Sequence, residues 1–204
     1  MRGQDVSPFS KKQARMTLNT NNIDKEIMQY LSDVRAIKLP LQGKDIVEFI
    51  RIAKREPLQS GPYPGVSMFE AFNRILSDLV VLLGVRILLR EEIPEVGRLP
   101  YTEYDVALGI EDGNDIKAFY KEPPSSRLCG EAFNVSRGYF PTKMRHARKK
   151  LMRSTDAIHC VILFNTDAVS DLSRYRNVAD RTPFYLPIDV AKEIEVHGDG
   201  LMKQ

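Results

Sequence analysis

The sequence predicts an α/β fold, a mixed β-sheet flanked by helices, and three observations carry the prediction. Segments with strand character gather in the second half of the chain, from Val85 to Ile188. Two of them, Tyr101 to Ile110 and Ile116 to Lys121, are joined by Glu111-Asp112-Gly113-Asn114-Asp115, which is hairpin-turn chemistry. A helical segment then separates Leu128 to Asn134 from the apolar run Cys160 to Phe164, and that crossover is long enough to join parallel strands.

The 204 residues suffice for one good core and fall short of two full domains. A hydrophobic content of 43% beside 28% charged residues belongs to an ordinary soluble globular protein. The richest apolar stretch, Ile75 to Leu89, is interrupted by Ser77, Asp78, Gly84 and Arg86, so no bilayer span is expected. Residues 1–20 are polar and basic, lack the apolar centre of a signal peptide, and read as a flexible arm of a cytoplasmic protein. Residues 21–204 read as a single domain, with a helical part over 21–83 and a sheet core over 84–190.

Asn21-Asn22-Ile23-Asp24 offers caps for a helix to about Ala36, with Ile27, Met28, Leu31 and Val34 as its apolar stripe. Lys44 to Arg55 reads as a second helix, and Gln59 to Gly65 as a loop. Ser67, with Glu70 three residues on, caps the clearest helix, and Gly84 ends it after Leu83. Val85 to Ile93 has β character. Beyond the hairpin, Pro141 suits the first turn of a helix running to about Arg153. Cys160 to Phe164 suits a strand buried on both faces. Asp167 to about Asp180 reads as helical, and Phe184 to Ile188 as a last strand before a short helix.

The three histidines, His146, His159 and His197, and the two cysteines, Cys129 and Cys160, have no zinc-ligand spacing. Carboxylates are better placed. Asp and Glu are hard oxygen ligands for a divalent ion, and a lysine beside them can stabilise charge developing on a phosphate. Asp105 starts one arm of the hairpin and Lys121 ends the other. A three-residue loop at Asp112 to Asn114 puts them opposite each other on one face, and a two-residue loop puts them on opposite faces, so both registers stay open. Asp115, which opens the second arm, competes with Asp105 as a metal ligand, and also makes good turn chemistry. Glu131 lies among Leu128, Cys129, Ala132 and Phe133, where an ionised side chain needs a partner or a metal. Glu70 reads as a capping residue.

The net charge of +3 is mild, but its distribution is not. Between Ala132 and Thr155 there are seven Lys or Arg and no acid. Lys143, Arg145, Arg148, Lys149, Lys150 and Arg153 surround the apolar stripe of Met144, Ala147 and Leu151. One sign of charge on a helix repels itself, so a polyanion is the expected partner. Ser136, Arg137 and Tyr139, just before the helix, are placed to reach bases or phosphates. Contacts of this kind position a phosphate backbone rather than select a sequence.

The order of elements from about Ser67 to Phe164 resembles the PD-(D/E)xK or restriction-endonuclease-like superfamily, whose pattern is helix, strand, a strand starting with Asp, a strand ending in acid-x-lysine, helix, strand. Gly130-Glu131-Ala132-Phe133-Asn134-Val135-Ser136, a helix, and Cys160-Val161-Ile162-Leu163-Phe164 are most similar to type II restriction enzymes of the BamHI and BglII kind. The resemblance implies a Mg²⁺-dependent endonuclease that hydrolyses double-stranded DNA as a homodimer beside a cognate methyltransferase. Asp105 or Asp115 with Glu131 would then bind the metal, and Lys121 would act at the attacked phosphate. Tyr104 stands where the motif has proline. Phe119 holds the acid position if Lys121 is the motif lysine, and Phe133 holds the lysine position if Glu131 is the motif acid. Both phenylalanines favour the alternative, a non-catalytic nucleic-acid-binding protein or inactive relative of the same fold.

Overall fold

The computed structural model describes residues 15–39, 43, 45–109, 113–120, 126–154, 157–179 and 182–201. Its centre is a six-stranded mixed sheet in sequence order: β1 (Met16–Asn19), β2 (Glu103–Val106), β3 (Ile116–Tyr120), β4 (Ser126–Phe133), β5 (His159–Asn165) and β6 (Phe184–Ile188). The pairings β1–β2, β2–β3 and β3–β4 are antiparallel, and β4–β5 and β5–β6 are parallel. Helices α1 (Ile23–Arg35), α2 (Ile46–Arg55), α3 (Met68–Arg90) and α5 (Val190–Leu201) pack on one side, and α4 (Phe140–Leu151) crosses the other between β4 and β5. The α/β class and the helical crossover expected from the sequence are both present.

Strand periodicity sorts the two cores. Leu128, Val161 and Leu163 point towards α3, while Cys129, Phe133, Cys160, Ile162 and Phe164 point towards Phe140, Met144, Ala147 and Leu151 of α4. The run from Cys160 to Phe164 is therefore buried on both faces.

The long helix α3 differs from expectation. Ser67 caps it as predicted, but it runs through Gly84 to Arg90 and absorbs the segment with β character. Buried on several sides, it shows little amphipathic pattern to distinguish helix from strand. Gly84 is a contact residue and not a stop: a β-carbon there would stand 1.8 Å from Leu163 Cδ2. The absent side chain lets the helix backbone lie close against β5.

Two further expectations are corrected. Met16–Asn19, placed in the flexible arm, is strand β1 on the sheet edge, with Leu18 fully buried. Such pairing depends on a partner nearly ninety residues away, and no local signal announces it. The stretch from Asp167 forms only short 3₁₀ turns, Thr166–Ala168 and Leu172–Tyr175, each opened by an Asn or Asp side chain that accepts a backbone N–H. At the opposite edge, Asn177 uses its amide twice on Tyr185 of β6, accepting from the N–H at 2.7 Å and donating to the carbonyl at 3.1 Å.

Candidate active site and nucleic-acid interface

The β3–β4 ladder pairs Ile116 with Gly130, which brings Asp115, one residue before β3, opposite Glu131. Asp115 Oδ2 accepts the Ala132 N–H at 2.7 Å, and its carbonyl accepts the Ala107 N–H at 2.8 Å. Glu131 is only 4% exposed, on the face covered by α4. Lys150 of that helix places Nζ 2.6 Å from Glu131 Oε1 and donates to the Gly113 carbonyl at 2.5 Å. The ammonium lies against Oε1 as an ion pair, and that buried oxygen has no further partner among the described residues.

Burial pushes the Glu131 carboxyl up to about 7, and the negative charge of Asp115 adds to the shift while Lys150 and Lys143 oppose it. Burial also raises the Asp115 carboxyl, against the Ala132 N–H and the charges of Lys150, Lys143 and Arg15. Two facing acids in a poorly solvated place favour a proton or a cation between them. Behind them, Asp78 of α3 is buried and accepts the hydroxyls of Tyr30 and Tyr63 and the Gly109 N–H at 2.8 Å. Burial raises Asp78 to about 6, with a contribution from Asp115.

Asp105 has a different environment. On β2 it is in register with Lys117, and Arg15 Nε lies 2.7 Å from its Oδ2. Arg15 also donates to the carbonyls of Asp105 and Asn114, so it fastens β2 to the loop that carries Asp115. The hairpin therefore follows neither of the two registers considered for Lys121, a residue outside the described set. Glu70 pairs with Arg74 at the start of α3.

Phe133, two residues after Glu131, is 2% exposed and packs against Phe140 and Phe164. It belongs to the core beneath α4. The cation at the acids comes instead from α4, as Lys150, which the sequence pattern assigned only to a phosphate-binding face. Arg15 was missed entirely, since it lies in the segment read as an arm.

The rest of the basic helix faces outwards. Arg145, Arg148, Lys149 and Arg153 line a cleft of about 600 Å³ with Pro141 and Tyr175. Lys143 lies over the Phe133 ring and Arg148 over the Tyr185 ring. Ser136 and Arg137 are exposed in the turn before α4.

Among the described residues, no three His, Cys, Asp or Glu side chains gather as a metal cage. Mg²⁺ does not require one, because it binds through one or two carboxylates, retained waters and substrate phosphate oxygens. The juxtaposed carboxylates of Asp115 and Glu131 fit such an ion. Among the described residues no helix is long and apolar enough to cross a membrane. No family model, curated protein or solved structure matches the chain.

Proposed function

We propose that the chain is a Mg²⁺-dependent endonuclease acting on DNA, with Asp115 and Glu131 as the metal-binding acids. One observation carries the reading: two carboxylates with raised proton affinity face each other at the end of a β-ladder, beside Lys150 and below a basic helix. The order α3, β2, β3, β4, α4, β5 is also the order of the restriction-endonuclease-like fold, and supports that finer assignment.

Bound Mg²⁺ would polarise the scissile phosphate and lower the pKa of a coordinated water. Asp115 is oriented for its part by the Ala132 N–H. Lys150 holds a positive charge beside Glu131, where negative charge develops on the attacked phosphate, and takes the role foreseen for Lys121. Lys143, Arg145, Arg148, Lys149 and Arg153 supply the phosphate-neutralising surface. The restriction reading carries with it a homodimer, since symmetric cutting of duplex DNA needs two copies, and a protecting methyltransferase.

Supercoiled plasmid incubated with the protein and Mg²⁺ tests the proposal. Nicked or linear product is expected, absent in EDTA and absent with Glu131→Ala, while that variant still binds DNA. Binding without cleavage on several DNAs would instead support the inactive relative.

A further inference from the structure

We propose that the groove leading away from Asp115 and Glu131 along the β3–β4 ladder receives a nucleotide whose base is unstacked, with Phe119 as its stacking platform. The inference rests on the nuclease reading for its direction and names the form of strand that the site accepts.

Register puts three rows of side chains on one face of the ladder: Asp115 with Glu131, then Lys117 with Cys129, then Phe119 with Arg127. Four residues of strand separate Asp115 from Phe119, about 13 Å. The lower two rows line a cleft of about 360 Å³, whose other wall includes Arg153 and Ser154 beyond the end of α4. Its charged side chains, Lys117, Arg127 and Arg153, are all cations.

Phe119, the penultimate residue of β3, is 56% exposed, where a large apolar ring gains little from the core. Arg127 lies over that ring, its guanidinium carbon 5.7 Å from the centroid. An exposed ring among cations, in line with phosphate-directed carboxylates, has the composition of single-strand binding surfaces: cations follow the backbone and an aromatic face stacks a base regardless of its identity. A base paired within a duplex keeps its faces against its neighbours and cannot use this ring. The groove thus selects a strand that is single or locally opened near the scissile phosphate.

Fluorescence anisotropy in EDTA tests this with the full-length protein, a labelled 16-nucleotide single strand and the same sequence as a blunt duplex. Phe119→Ala is expected to weaken single-strand binding about tenfold or more, leave duplex binding within about twofold, and be rescued by Phe119→Tyr. Equal single-strand affinity in Phe119→Ala and wild type would overturn the inference, as would an equal loss on both DNAs. The assay contains no metal and reads no hydrolysis. A protein that never cleaves DNA but shows the Phe119 effect removes the nuclease reading alone, and a cleaving protein without that effect removes this inference alone.

Discussion

Lys150 reaches from α4 to within 2.6 Å of the Glu131 carboxylate, although nineteen residues of chain separate them. The contact joins the basic helix to the acid pair. It supplies a cation beside Glu131, whereas Phe133, two residues on, is packed into the core. Lys150→Ala is expected to lower plasmid cleavage by about 10²-fold, the cost typical of removing one transition-state charge contact. Duplex binding in EDTA should fall far less, because the other α4 cations remain. Equal losses in cleavage and binding would make Lys150 a phosphate contact only.

Asp115 and Asp105 make opposite predictions. Asp115→Asn is expected to abolish cleavage and Mg²⁺ binding. Asp105→Asn should retain both and cost about 0.2–1 kcal/mol of stability through the partly exposed Arg15 pair, as read by urea unfolding. The reverse pattern would move the metal to β2.

On the proposed metal reading, protons and a divalent cation compete for the acid pair. Because Glu131 holds its proton up to about 7, binding a cation below that pH must displace it. Apparent Mg²⁺ affinity, followed by calorimetry, should fall about tenfold per unit as pH drops below 7 and level off above it. Glu131→Gln should weaken the pH dependence, leaving the part due to Asp115, and remove most of the affinity.

Asp78 links the site to stability. Its carboxyl is raised from 3.8 to about 6, so the folded protein binds this proton more tightly than the unfolded chain does. That contribution is fully present below pH 4 and is lost as pH rises towards 6, by about 3 kcal/mol in all. In urea unfolding at pH 4, 5, 6 and 7, wild type should lose stability relative to Asp78→Asn across this window and run parallel to it above. A constant difference at all four values would mean that Asp78 titrates alike in both states.

Much of the architecture could be read locally, and the failures share a cause. Ser67 was recognisable as a cap, and the run from Cys160 to Phe164 as a buried strand, because each signal lies within a few residues. Gly84 was misleading because its reason is Leu163, far along the chain. Strand β1 and Arg15 depend in the same way on β2. For the site, the sequence narrowed the acids to Asp105, Asp115 and Glu131, but the choice among them needs both the β2–β3 and the β3–β4 registers. The residues left open the length of the turn that sets the first, and Glu131 meets Asp115 only through the second. Lys150 was visible as a charge, not as a neighbour of Glu131.

Gly84→Ala tests the close approach of α3 to the sheet. Alanine favours a helix by about 1 kcal/mol over glycine, but its methyl would displace Leu163, which is fully buried, and overpacking costs about 1–3 kcal/mol. A net loss of up to about 2 kcal/mol is expected in thermal or urea unfolding, partly recovered by adding Leu163→Val. A stabilised Gly84→Ala protein would show that α3 rides further from β5.

The amide of Asn177 acts towards Tyr185 as a neighbouring peptide group would, and Pro187, two residues on, has no N–H to offer. Strand β6 is thereby sealed against self-templated growth. A second copy would find neither the Tyr185 N–H nor the Tyr185 carbonyl free to extend the sheet there.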